Sequence, residues 1–417
     1  MKTVGCRNRV TGVLILLGTL LATQLPAKAD AAGVRLDAIP SLRIEEGWFS
    51  NVYNTSTDEV SSPGTIVTPT LAFRLTSIDN VTLQLSGSYE KVWYNNSDAK
   101  DAESNTWSFR VDSSGGWGLT PTSSILPSVY YLNSSDSYRR TQLVPSGDPL
   151  VPPVSISNYG TTKSQEFGGG LRYDYLVSPN LTLGISGQYG ERRFSGDNVA
   201  QTGLTDSTTV GGAVSLSYLV SPRTTWGLLL GGSHQTYEGE NEPDSDIYSV
   251  GVIYDYRFTP VLRLNTVVGL QYIRQKSVPG IPEENKTAPS GRFNLQYDSG
   301  TFRGRFYGSG VYAGGSGYGQ ATRLGTLGLT FSDRFARDWT WSLNGTYQIE
   351  KSVFNTDTVD ITTIYGNAGL RYNFLQWASL DLNGYLSRQD STGQFGSTVD
   401  NYSAVLGITI GTPYNIY

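Results

Sequence analysis

The sequence predicts an all-β fold: a transmembrane antiparallel up-and-down barrel of about 18 strands, with 16 to 20 allowed. Three observations predict it. Apolar and polar residues alternate in stretches of about ten residues from Pro40 to the C-terminus. Short turns take turns with longer polar segments along the whole chain. The composition is poor in charge and rich in glycine and tyrosine, with 16% charged residues, 48 Gly and 27 Tyr in 417 residues.

The same composition excludes other classes. Aromatic residues make up 12% of the chain, too many for a disordered polymer. A single Cys rules out a disulfide scaffold. A mean hydropathy of -0.27 does not supply the long apolar runs of a helical membrane protein. One His, one Met and one Cys leave little material for metal, haem or triad chemistry, so neither a cofactor nor an enzymatic activity is expected. His234 is the only imidazole base, and Ser233 beside it points to the opposite face of a strand.

The elements follow in chain order. Lys2, Arg7 and Arg9 precede an apolar run from Val10 to Ala22, and Ala27-Lys28-Ala29 forms a small-x-small site before Asp30. This order of parts predicts a cleaved secretory signal peptide at 1–29 and a barrel at 30–417. Cys6 precedes the apolar run, so it is not a lipidation cysteine. Cleavage would remove Lys2, Arg7, Arg9 and Lys28 and no acid, taking the formal charge from -5 to about -9. That balance argues against nucleic acid as a partner.

The strands read clearly. In Trp339–Glu350 the odd positions are Trp339, Trp341, Leu343, Gly345, Tyr347 and Ile349, and the even positions are all polar. Val81–Glu90, Leu181–Tyr189 and Tyr402–Ile410 repeat the pattern. Short turn signals sit near Asp79-Asn80, Pro121, Ser178-Pro179-Asn180, Ser221-Pro222, Thr259-Pro260, Ser299-Gly300, Arg337-Asp338 and Gln376, mostly about 40 residues apart. The segments Leu171–Leu183 and Val252–Leu264 read as one hairpin repeated. Longer polar segments fall near Tyr53–Pro63, Asn95–Glu103, Ser134–Asn158, Ser195–Thr205, Glu238–Asp246, Val278–Thr287, Gly314–Gly317, Phe354–Val359 and Arg388–Val399. Eight short turns and nine longer loops give about 18 strands with both ends on one side, the asymmetry of an outer-membrane barrel. A soluble sandwich would need bulky side chains to fill its interior, whereas here the polar face is Ser, Thr, Asn, Gln and Gly.

At the C-terminus, Gly411, Tyr414, Ile416 and Tyr417 have the spacing of a barrel-assembly signal, and Pro413 interrupts what would be a paired strand. The partners expected are outer-membrane lipid and lipopolysaccharide and the barrel-assembly machinery. The location expected is the bacterial outer membrane.

If the polar face looks inward, the charged lumen candidates are Arg74, Arg110, Arg172, Asp174, Asp255, Arg257, Arg263, Arg303, Arg305, Arg371 and Asp381. Most lie within about seven residues of a short turn, hence toward one end of the pore. Residues two apart share a face, so Arg172/Asp174, Asp255/Arg257 and Arg110/Asp112 are positioned to pair. Two readings stay open: a guanidinium-biased constriction for anions, or a wall cross-linked by ion pairs without selectivity. The longer loops are acidic, and Glu238–Asp246 lacks the ligand spacing of a dedicated calcium loop. Ser134–Asn158, with Arg139, Arg140 and several prolines, reads as either a constriction loop or an external one. Gly168–Gly170 and Gly314–Gly317 are not phosphate cradles, because no Lys-Ser/Thr follows.

Pro40–Thr70 carries a family resemblance. An opening strand with Glu45 and Glu46, then Asn51-Val52-Tyr53, a Ser/Thr-rich loop and a second strand from Thr65-Ile66-Val67-Thr68-Pro69 resembles the β-barrel porin 2 family. Ser50 stands where that family's opening has Asp. The resemblance implies an outer-membrane barrel of the kind that accompanies extracellular-polysaccharide and exosortase systems in Gram-negative bacteria, with components of polysaccharide export as partners. Three functions follow as expectations: a porin-like channel serving polysaccharide export, a general diffusion porin for small solutes, or a structural sleeve around a secretion or electron-transfer partner. The chain has no Cys-x-x-Cys-His haem site of its own.

Overall fold

The computed structural model describes residues 35–53, 55–76, 82–114, 117–134, 162–195, 204–239, 242–313, 319–354, 359–392 and 397–415. The 1–29 leader, most of Ser134–Asn158, and Ile416 and Tyr417 lie outside the described residues. No helix among the described residues is long and apolar enough to cross a membrane.

The strands in order are β1 (Arg35–Phe49), β2 (Ser62–Thr76), β3 (Thr82–Tyr94), β4 (Asn105–Ser114), β5 (Trp117–Thr120), β6 (Ser123–Ser134) and β7 (Lys163–Ser178). They continue with β8 (Leu181–Ser195), β9 (Ser207–Ser221), β10 (Thr224–Tyr237), β11 (Ser245–Thr259), β12 (Leu262–Gln275), β13 (Glu284–Asp298) and β14 (Phe302–Ala313). The last are β15 (Thr322–Ala336), β16 (Trp339–Ser352), β17 (Asp360–Leu375), β18 (Ala378–Thr392), β19 (Ser397–Gly411) and β20 (Tyr414–Asn415). β4 and β5 both pair with β6 and form one stave of the wall. β19 and β20 both pair with β1 and form another. The described residues thus build a closed antiparallel barrel of 18 wall strands in up-and-down order. Closure runs from Ser41↔Gly411 to Phe49↔Ser403. It leaves no open sheet edge along that seam, as strands in lipid require.

The connections obey the predicted asymmetry. Tight turns close β7–β8, β9–β10, β11–β12, β13–β14, β15–β16 and β17–β18 at the predicted positions, and the longer loops all lie at the other end. Some strands reach further than the polar segments suggested. Glu284–Thr287 open β13, Asp246 belongs to β11, and Arg388–Asp390 belong to β18. Cross-strand ladders such as Glu284↔Gln275 and Arg388↔Asp400 carry the backbone past the apolar band, where polarity no longer marks a loop. Gly168–Gly170 likewise lie within β7, and Gly168 makes room for the Tyr130 ring, 2.5 Å from where its Cβ would stand. Pro413 does interrupt the ladder: β19 stops at Gly411, and pairing resumes at Tyr414↔Ala38.

The outward face shows why lipid surrounds it. Its middle is aliphatic, with Leu42, Ile44, Leu71, Val214, Leu228, Leu230, Val252, Val268, Leu382 and Ile408 all exposed. Aromatic chains flank this band. Toward the short turns Trp226 packs on Tyr254 at 4.7 Å and Trp339 on Tyr372 at 4.6 Å. Toward the long loops Tyr89 packs on Trp107 at 4.3 Å. An apolar band between two aromatic girdles is the outer surface of an outer-membrane-type barrel. His234 points outward above this band and meets Asp246 at 2.7 Å, on the face opposite to Ser233.

Candidate functional site

The inner wall carries the polar residues, and two arrangements narrow it at the long-loop end. In the first, Phe49, Ile66, Val92, Tyr94 and Val405 point inward from β1, β2, β3 and β19. Val52, and Ala99 of the 3-10 turn Ser97–Ala102, pack onto them. In the second, Ile247, Ile273 and Ala288 from the inner faces of β11, β12 and β13 receive Tyr312, Ala321 and Val353.

The second arrangement needs the end of β14 to part from β13, while it stays paired with β15 up to Ala313↔Thr322. β13–β14 pairing ends at Gly291↔Gly310, although β13 continues up to Glu284 beside β12. Pro289 offers no N–H for a longer ladder. The end of β14 turns into the barrel, where the Gln271 side chain of β12 clamps it. The Tyr312 N–H donates to Gln271 Oε1 at 2.9 Å, and Gln271 Nε2 donates to the Tyr312 carbonyl at 3.3 Å. The Tyr312 ring belongs by alternation to the outward row of Phe302, Phe306 and Gly310, yet it is buried inside. Above it, the Glu242 carboxylate of the β10–β11 loop lies against Gly319, whose φ of 65° suits glycine and where any Cβ would strike that carboxylate. Burial pushes the Glu242 carboxyl above its ordinary pKa.

The arginines and aspartates predicted from sequence lie on the inner face, mostly in its short-turn half. Arg74 reaches Gln84 at 3.5 Å. Arg110 pairs with Asp112 at 2.5 Å, and Arg172 with Asp174 at 2.9 Å. Asp255 pairs across the ladder with Arg263 at 2.6 Å rather than along its strand with Arg257. Asp255 stands opposite Asn265, and Arg263 is its diagonal neighbour on the same face, within reach of a long side chain. Arg257 stands directly opposite Arg263 and has no ion pair among the described residues. Arg303 meets Asp298 at 3.4 Å. Arg305 donates to Asn294 at 2.8 Å and lies 5.0 Å over the Tyr307 ring, with no carboxylate partner among the described residues. Arg371 pairs with Asp381 at 2.5 Å, and Asp381 also accepts from Thr409 at 2.8 Å and Ser379 at 3.2 Å.

Sequence reading missed other inward charges. Arg43 pairs with Glu45 at 2.5 Å, Arg35 with Asp37 at 2.8 Å, and Arg192 with Glu166 at 3.3 Å. The signal was present, since Arg43 and Glu45 are two apart on one face. Of the C-terminal residues, Gly411 faces Ser41 and Tyr414 is exposed beside Ala38. Among the described residues no three His, Cys, Asp or Glu side chains gather as metal ligands.

The distribution of charge is uneven. Across β11–β14 the short-turn half presents Arg257, Arg263, Arg292, Arg303 and Arg305 against Asp255 and Asp298. Arg257, Arg263, Gln296 and Arg305 are successive cross-strand neighbours in one row. Such a row concentrates positive potential on one side of the pore.

No protein-family model matches this sequence, and no curated protein matches it. Among solved structures the chain is similar to OccAB3 of Acinetobacter baumannii, at TM-score 0.42 and 11% identity over 90% of this chain and 99% of that one. It is similar to the outer membrane protein OpdK of Pseudomonas aeruginosa, at TM-score 0.40 and 12% identity over 90% and 99%. It is also similar to the siderophore receptor PiuA of Acinetobacter baumannii, at TM-score 0.42 and 10% identity over 89% and 82%. These are likenesses of fold.

Proposed function

We propose that the protein is a porin-like outer-membrane channel that prefers anionic solutes. The observation that carries this reading is the short-turn half of the inner face of β11–β14, with five guanidinium groups against two carboxylates. Charged rings of one sign in a pore favour the counter-ion by weak, multi-site contacts. The resemblance of Pro40–Thr70 to the β-barrel porin 2 family supports a narrower form of the proposal, in which the solute is an acidic extracellular polysaccharide on its way out. The paired charges elsewhere on the wall favour the second reading, a general diffusion porin. Both need outer-membrane lipid, lipopolysaccharide and the barrel-assembly machinery as partners.

Single-channel conductance in a planar bilayer under a salt gradient tests the proposal. The expected result is a steady anion-preferring current that falls when an acidic polysaccharide is added. A current indifferent to the polymer leaves the diffusion porin. Absence of current through a correctly folded, heat-modifiable barrel overturns both.

A further inference from the structure

The inner wall of β8–β13 holds a cavity of about 150 Å³, roofed by the inward-turned end of β14 at Val311–Ala313. Its polar lining is hydroxyl and amide: Ser233, Gln235, Ser249, Gln271 and Ser290 among them, with Arg292 as the one charge and no carboxylate. Leu229, Val267 and Val311 add apolar patches between these groups. Gln235 is 2% exposed, and its Nε2 has no hydrogen-bond partner among the described residues. Its Oε1 accepts from Thr209 at 3.2 Å, so exchanging the two ends of the amide still leaves one of them free.

We propose that this cavity is a binding subsite for a neutral, hydroxyl-rich six-membered ring of the pyranose kind. The chemistry points there on three grounds. Hydroxyl and amide side chains both donate and accept, as a ring of alcohols requires. The apolar patches take the C–H faces that such a ring presents between its hydroxyls. A cavity of roughly 150 Å³ is the size that holds a benzene-sized ring. The free end of the Gln235 amide provides the hydrogen bond that a buried polar group requires. The inference deepens the channel reading by naming a subsite inside it. It rests on solute reaching the lumen, and its test does not depend on conduction.

The test is saturation-transfer NMR on the full barrel in detergent, with D-glucose as probe and polyethylene glycol 200 as a control of similar size. Glucose is expected to receive saturation and the glycol not. Gln235→Leu is expected to weaken glucose binding about tenfold, the usual worth of one buried hydrogen bond, and Ser249→Ala by a smaller factor. Heat-modifiability on a gel shows that each variant still folds. Equal saturation of glucose and glycol, or unchanged binding in both folded variants, overturns the proposal and leaves a cavity filled by water only. A barrel that binds glucose without carrying current would sink the channel reading and keep the subsite.

Discussion

Two sectors of one wall follow opposite rules. Across β17, β18, β19 and β1 the inner face carries Arg371, Arg43 and Arg35 against Asp381, Glu45 and Asp37, and each arginine has its carboxylate. The β17–β18 ladder there runs from Asp360↔Thr392 at the top through Arg371↔Asp381 in the lower half. Across β11–β14 arginines outnumber acids, Arg257 faces Arg263, and the ladder gives way above Gly291↔Gly310. The first sector satisfies every charge and behaves as a strut. The second leaves Arg257 and Arg305 without a carboxylate partner among the described residues and the end of β14 parted from β13, though still paired with β15.

The largest effect is expected in the strut. Asp381 is buried and accepts from Arg371, Ser379 and Thr409. Asp381→Ala strands these donors, and the loss is expected to be about 2 kcal/mol, moderated because Arg371 is half exposed to the lumen. Urea unfolding of the barrel in detergent measures it. A loss below about 0.5 kcal/mol would mean that the paired sector is no more than surface ion pairing.

The next effect tests the inward turn of β14. Gln271→Leu removes both hydrogen bonds to Tyr312 and is expected to cost about 1–2 kcal/mol, because the freed backbone groups find water only partly. The more telling readout is conductance, which should rise as the end of β14 loosens from the inner wall. Unchanged current would show that this segment does not limit the pore.

How much of this was legible in the sequence depends on range. Alternation within a strand and Pro, Gly, Asn or Asp at the turns are local, so Trp339–Glu350 and Thr259-Pro260 read correctly from residues alone. Same-strand pairs such as Arg172/Asp174 also read, because two residues apart means one face. Asp255 with Arg263 did not, because the nearer partner comes from register across the turn, which local pattern does not state. Tyr312 was not legible for a stronger reason. Its parity places it on the lipid face, and only the ladder ending at Gly310 and the Gln271 clamp from β12 turn it inward. Glu284–Thr287 looked like loop because polarity marks water, and strands that rise above the apolar band are wet on both faces.

A smaller prediction has the opposite sign from the first. Arg257→Gln relieves the like-charge contact with Arg263 and is expected to stabilise the barrel by about 0.5 kcal/mol. The same substitution, combined with Arg305→Gln, should remove most of the anion preference in a salt gradient. If stability falls instead, Arg257 has a partner that holds it in the wall, and the contrast between the sectors narrows to Arg305 alone.

The smallest effect concerns pH. Glu242 is a carboxyl held above its ordinary pKa by burial in the loop layer against Gly319. An acid whose pKa is raised by docking binds its proton more tightly in the docked state, so docking is favoured at low pH and weakened as pH rises through the raised value. The loop over β10–β11 should therefore sit more firmly on the β14–β15 loop in acid, and current should fall on acidification by a factor of about two, the reach of a few tenths of a kcal/mol. Glu242→Gln is neutral at every pH and should hold the low-current state throughout. A variant that keeps the wild-type pH profile would place the titrating group elsewhere.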